Sequence, residues 1–202
     1  MRIRTVTALL AMTAVSFAAA AAEEMRLVLD RERTAITFEL DATLHSVHGT
    51  AQLTEGVVVF DSASGEASGG IVVATGSADT SHEGRDEDMH VKVLETTLYP
   101  EIAFRPTAIR GELAPQGESR VELEGVFTIH GDEHPLTIEA LTVVDGETLE
   151  ATVEFEVPYV SWGMKNPSKL LLKVAKQVQV RIHGVGTLTP VDGTGGMSSA
   201  GS

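Results

Sequence analysis

Apolar and polar residues alternate along much of this chain. Ile36, Phe38 and Leu40 alternate with Thr37, Glu39 and Asp41. Val121, Leu123, Phe127 and Ile129 share one parity, and Glu122, Glu124 and Thr128 the other. Leu149, Ala151, Val153, Phe155 and Val157 alternate with Glu150, Thr152, Glu154 and Glu156. Val178, Val180 and Ile182 alternate with Gln177, Gln179 and Arg181. Successive side chains of a strand point to opposite faces, so each run predicts a strand with one buried and one wet face. Parallel sheets are covered on both faces, so this alternation points to antiparallel sheets.

Turn residues separate the runs: Ser62-Ala63-Ser64-Gly65, Pro115-Gln116-Gly117, His130-Gly131-Asp132 and Asp145-Gly146. Asp145-Gly146 lies between two apolar runs and predicts a hairpin. Short turns imply a meander. Many alternating strands must form a sandwich or close into a barrel, because open edges invite association. Periodicity does not choose between the two. One segment breaks the pattern. Thr80-Ser81-His82-Glu83 reads as a capping box with Thr80 as the cap, and His82, Arg85, Asp86, Met89 and Val93 follow at helical spacing. A short helix is expected around residues 81–94, weakened at Gly84 and ended before Tyr99-Pro100.

Composition narrows the choices. The chain has 202 residues, 43% hydrophobic and 22% charged, which is ordinary for one globular domain. Aromatics make up only 4%, so an aromatic stacking surface for sugars or nucleic acid is not expected. The formal net charge is -14, which repels phosphate backbones and anionic membrane surfaces; no nucleic-acid partner is expected. There is no cysteine, which excludes disulfides, thiolate metal sites and thiol catalysis.

The two ends read as something other than core. Arg2 and Arg4 precede an apolar stretch from Val6 to Ala22 that ends in small-x-small alanine sites, and charge begins at Glu23. This is the layout of a secretory signal peptide over residues 1–22. The competing reading is a membrane anchor, but the stretch is shorter and more alanine-rich than a spanning helix of about 20 apolar residues. The expected destination is the bacterial periplasm. Residues 192–202 are rich in glycine and serine and read as a flexible tail, leaving residues 23–191 as the folded domain.

Several short motifs occur in a telling order. They are His45 and Gly49; Gly56 with Phe60-Asp61; Asp79-Thr80 and Arg85-Asp86; Tyr99-Pro100-Glu101-Ile102-Ala103-Phe104; and Gly125-Val126-Phe127-Thr128-Ile129-His130-Gly131 with Pro135. With them the chain resembles the YceI-like family, exported lipocalin-like barrels associated with polyisoprenoid binding. The likeness runs from about Leu27 to Val144 and more weakly to Leu188. It departs at Ala51, where the family usually has an aromatic, and at Trp162 to Ser168, which looks like a subgroup version of a late loop. The resemblance implies an all-β fold: an eight-stranded antiparallel lipocalin-like barrel with one short helix. It also implies a carrier that sequesters an isoprenoid lipid, a polyprenyl chain or a quinone, with transient membrane contact at delivery.

Such a barrel can hold one ligand inside. The expected apolar wall is Phe38, Leu40, Phe60, Phe104, Leu123, Phe127, Phe155, Val178 and Val180, with solid core filling as the alternative. Trp162 would cover an open end and touch ligand, or would anchor its loop. Arg85 and Asp86 are read as rim contacts to a headgroup or as a brace for the helix, and Lys165 as a partner for a phosphate or quinone oxygen. An apolar patch around the barrel mouth would support a homodimer.

Catalysis is the rival class, with Asp86, His90 or His45 as acid–base groups; a ligand-free stress-response module is a third. His45 and His48 would fall on opposite strand faces, and one carboxylate–imidazole pair is too little for zinc, so no metal site is expected. His130 and His134 flank a turn and are expected to face solvent. The strand glutamates lie on wet faces, so they do not read as a glycosidase pair. No phosphate-loop, dinucleotide or Gly-x-Ser-x-Gly pattern is present, and no cofactor is expected.

Overall fold

The computed structural model describes residues 23–43, 45–168 and 173–191. The leader expected at 1–22 and the tail expected at 192–202 lie outside them. Among the described residues nine strands form: β1 (Glu24–Leu29), β2 (Ala35–Leu40), β3 (Val47–Asp61), β4 (Ala67–Asp79), β5 (Glu101–Arg110), β6 (Gly117–Ile129), β7 (Asp132–Asp145), β8 (Thr148–Val157) and β9 (Val178–Pro190). A helix, α1 (Glu83–Asp88), and a π-helical turn (Met89–Val93) separate β4 from β5.

The nine strands fill eight positions of one closed antiparallel barrel. β1 pairs with the late part of β3 and of β9, whereas β2 pairs with the early part of the same two strands. β1 and β2 are therefore one barrel strand broken in the middle. The Asp30 carboxylate makes the break by accepting from the backbone N–H groups of Glu32 and Arg33 at 2.8 and 3.2 Å, an Asx-type turn. From β3 to β9 each strand pairs with the next in sequence, and β9 returns to β1 and β2, so no long edge is left open.

The four alternating runs become strand faces as expected. Ile36, Val121, Phe127, Ile129, Leu149, Val153 and Val157 are buried, while their glutamate neighbours lie outside. On the outer face, Arg110 meets Glu124 at 3.2 Å and Arg181 meets Glu154 at 2.8 Å. Arg120 also bonds Glu139 there. Solvent screens exposed pairs of this kind, so they set register and solubility more than stability.

Among the described residues three register shifts interrupt the ladders, the first between Thr50 and Gln52 of β3. In β3 the register slips between Leu53 and Glu55, so the buried set changes from Gly49 and Leu53 to Gly56, Val58 and Phe60. In β5 it slips after Pro106, a residue with no N–H to give to a ladder. The His130-Gly131 hairpin has φ of 53° and 83° at its two central residues, the positive pair of a type I′ turn.

One end of the barrel carries α1, the π-helical turn, the β6–β7 hairpin and the 158–168 loop. Leu94 N–H reaches Met89 O at 2.8 Å, which widens the last helical turn, and Val93 and Leu94 pack onto the core. The helix starts at Glu83 and its cap is His82, whose Nδ1 accepts from Arg85 N–H at 3.3 Å. This corrects the reading of Thr80 as cap. Thr80 is buried two residues earlier and braces the helix from outside its end. At the same end Tyr159 is buried and donates to Ala175 O at 2.8 Å, which holds the 158–168 loop in place. Burial pushes its phenol up to about 12.

Candidate ligand-binding cavity

Inward-facing residues of the strands leave a cavity of about 130 Å³ inside the barrel. Five of the expected wall residues border it: Phe60, Phe104, Leu123, Phe127 and Phe155. Ile71, Ile138 and Leu149 are among the other apolar residues that line it. Among the described residues, Thr34 and Thr142 are the lining side chains with a polar atom, and each hydroxyl donates to a backbone carbonyl, of Val185 at 3.5 Å and Ser119 at 3.3 Å. The wall therefore offers a guest shape and apolar contact.

The other expected wall residues do not border this cavity. Leu40, Val178, Val180 and Trp162 pack against the core at the helix-bearing end. Phe38 lies over Gly49, where a Cβ would sit 2.2 Å from the Phe38 ring, and borders a separate polar groove with Glu39, His48 and Arg181. Strand parity identifies Phe38, Leu40, Val178 and Val180 as inward-facing, and Trp162 is expected from its loop. Their height along the barrel depends on register and strand tilt, which parity does not carry.

An aromatic group closes the cavity toward the helix. Phe127 meets Phe155 edge-on with centroids 5.8 Å apart, and Trp162 lies 5.9 Å from Phe127. Trp162 stacks flat on His134 at 3.9 Å with 7° between the planes. His134 and Phe127 are partners across β6 and β7. The expectation that His130 and His134 face solvent is thus wrong. His134 has the parity of Leu136 and Ile138 and turns inward, with its Nε2 buried. His130 is 14% exposed and pairs with Glu95 at 2.7 Å, under the ring of Tyr99. Nearness to a turn does not decide the face of a strand residue; the period-two alternation of β7 puts His134 on the inner face.

The polar motif at the helix is a brace. Asp86 accepts from the Thr80 hydroxyl at 2.5 Å, from Thr80 N–H at 3.0 Å and from His82 N–H at 3.2 Å. Partial burial pushes its carboxyl up, but these bonds outweigh that and hold it below the ordinary value. Arg85 donates to the hydroxyl of the same threonine at 2.7 Å and to its carbonyl at 3.0 Å. Lys165 is exposed on the loop, and His45 is exposed before β3. Among the described residues no hydrogen bond joins Asp86 to His90 or His45, and His90 Nδ1 is buried with no hydrogen-bond partner.

The comparisons agree with this geometry. The YceI-like domain model matches residues 27–185. Among solved structures, Burkholderia cenocepacia BcnA is similar at 18% identity with a TM-score of 0.64, over 79% of this chain and 99% of that one. A Saccharophagus degradans polyisoprenoid-binding domain, implicated in plant cell wall breakdown, is similar at 15% identity with a TM-score of 0.62, over 81% and 98%. At such identities the likeness is one of fold. No curated protein matches the chain. The family model spans most of the closed barrel, from β1 into β9, and on that ground the chain belongs to the YceI-like family.

Proposed function

We propose that this protein is an exported, non-catalytic carrier or buffer for an isoprenoid lipid, held in the barrel by burial. The observation that carries the reading is an apolar cavity whose hydroxyls are all spent, inside a YceI-like barrel. An exposed prenyl chain in water costs about 0.8 kcal/mol per CH₂, and this interior removes that exposure. The Saccharophagus domain of similar fold is described as binding polyisoprenoids, which supports the same ligand class here.

The cavity volume adds a condition. About 130 Å³ is near the size of an engineered apolar cavity of about 150 Å³ that takes up benzene. A prenyl chain of several units is larger, so uptake requires Phe127, Phe155 and Trp162 to move aside. Trp162 is the single tryptophan, so its fluorescence should change as the chain enters. The exposed apolar side chains Val91 and Leu98 beside the helix would make the transient contact with a donor membrane.

The acid–base reading gains no support, because Asp86 is bound to Thr80 and lies in no hydrogen-bonded set with His90 or His45. Organic extraction of protein purified from its native host, followed by mass spectrometry, should recover a polyprenyl lipid or quinone near one per chain. Lipid-free protein that also takes up neither farnesol nor a longer polyprenol in vitro would sink the proposal.

A further inference from the structure

Three buried polar atoms among the described residues have no hydrogen-bond partner: Thr75 Oγ1, His90 Nδ1 and His134 Nε2. All three belong to the helix-bearing end. Thr75 is 2% exposed and shares the inward parity of Ile71 and Val73, which border the cavity. Its own N–H donates to Pro100 O, just before β5 begins. His90 sits in the π-helical turn whose Val93 and its neighbour Leu94 pack onto the core. His134 is stacked on Trp162, and Trp162 in turn touches the cavity-wall residue Phe127. Lower in the barrel, by contrast, the Thr34 and Thr142 hydroxyls are both satisfied.

Buried polar groups are normally paired, so three unpaired ones at one end of an otherwise apolar interior point to a partner that comes with the ligand. Imidazole nitrogens and a hydroxyl donate or accept, which suits a hydroxyl or carbonyl group. None of the three is a fixed cation. The cations of α1 and the π-helical turn are engaged elsewhere, Arg85 on Thr80 and Lys92 on Asp88. A diphosphate would meet no buried counter-charge there.

Building on the carrier reading, we infer that the helix-bearing end receives the uncharged polar head of the cargo, a hydroxyl or carbonyl hydrogen-bonded to His134, with His90 and Thr75 supplying further polar atoms at that end. The tail then runs away from the helix, past Phe104 toward Phe60 and Leu149. This fixes both the polarity of loading and the class of headgroup.

Calorimetric titration of the purified protein with three probes of one prenyl length tests it: farnesol, farnesene and farnesyl diphosphate. Farnesol should bind about tenfold more tightly than farnesene, the gain expected from one well-made hydrogen bond. Farnesyl diphosphate should bind more weakly than farnesol. His134→Phe should remove the preference for farnesol over farnesene, while His134→Gln should keep part of it. In the native protein, the imidazole nitrogen signals of His134 should shift with farnesol and stay put with farnesene, a readout that needs no variant. Equal binding of farnesol and farnesene would overturn the head site and leave the carrier reading standing. Tighter binding of the diphosphate would overturn the uncharged head. Binding of none of the three would remove the carrier reading and this inference with it.

Discussion

At the scale of single residues, the telling positions are those where one atom has no room or one charge has no substitute. Gly49 is the first kind. A Cβ there would lie 2.2 Å from the Phe38 ring and 2.7 Å from the backbone carbonyl of Asp79. The ring can shift, but the carbonyl belongs to the β3–β4 ladder. Gly49→Ala should cost about 2 kcal/mol, read as a lower urea midpoint at unchanged slope. Asp86 is the second kind. Its native carboxyl titrates below the ordinary value because Thr80 and His82 donate to it. A depressed native value gives stability that is fully present above about pH 5 and is lost as pH falls through that native value. Losing the charge-assisted acceptor of three donors, Asp86→Asn should cost about 1.5 kcal/mol at pH 7, with the gap to the native protein closing as pH falls through the depressed native value. Urea unfolding across an acid pH series checks this. The His90 Nδ1 and His134 Nε2 atoms are buried with no hydrogen-bond partner among the described residues, and an unpaired buried polar atom costs about 1–3 kcal/mol.

At the scale of elements, the segment from the π-helical turn to β5 is fastened by few contacts. Glu95 bonds His130 across to the β6–β7 hairpin, and its carbonyl accepts from the N–H groups of Leu98 and Tyr99 at 2.8 and 3.0 Å. Glu95→Gln keeps the shape and weakens the charge-assisted bond. It should cost about 1 kcal/mol and speed amide exchange at Leu98 and Tyr99, with exchange in β6 and β7 unchanged. A variant with uniform protection throughout would show that the segment is held by packing alone. Much of the element scale was legible beforehand. Strand parity comes from the alternation of Cβ directions and needs only neighbours in sequence, so Leu149 to Val157 and Val178 to Ile182 were placed on the correct face. The hairpins at His130-Gly131 and Asp145-Gly146 follow from residues that tolerate positive φ. The helix cap was misplaced because Thr80 and His82 both offer an acceptor, and the choice was made by Asp86 and Arg85 drawing Thr80 inward.

At the scale of the whole molecule, the barrel is a shell around a space smaller than its proposed cargo. Filling that space separates binding from folding. Ala151 borders the cavity, and Ala151→Leu should leave stability unchanged or raise it by up to about 1 kcal/mol while abolishing uptake of farnesol. Thermal unfolding and calorimetry on the same sample check both halves. A variant that folds normally and still binds would place the ligand outside the barrel.

By itself the sequence determined the strand faces, the main turns, the acidic outer surface and membership of a barrel family, because each depends on local stereochemistry or on motifs in order. Tertiary structure alone decided that β1 and β2 share one barrel position, that β3 changes phase at its bulge, and that the cavity sits below an aromatic closure. It also decided which histidine nitrogens among the described residues are buried without a hydrogen bond. These features arise from pairings between remote residues, such as the Thr34 hydroxyl and the Val185 carbonyl 151 positions apart, and a local pattern cannot record how far along a tilted strand its partner will stand.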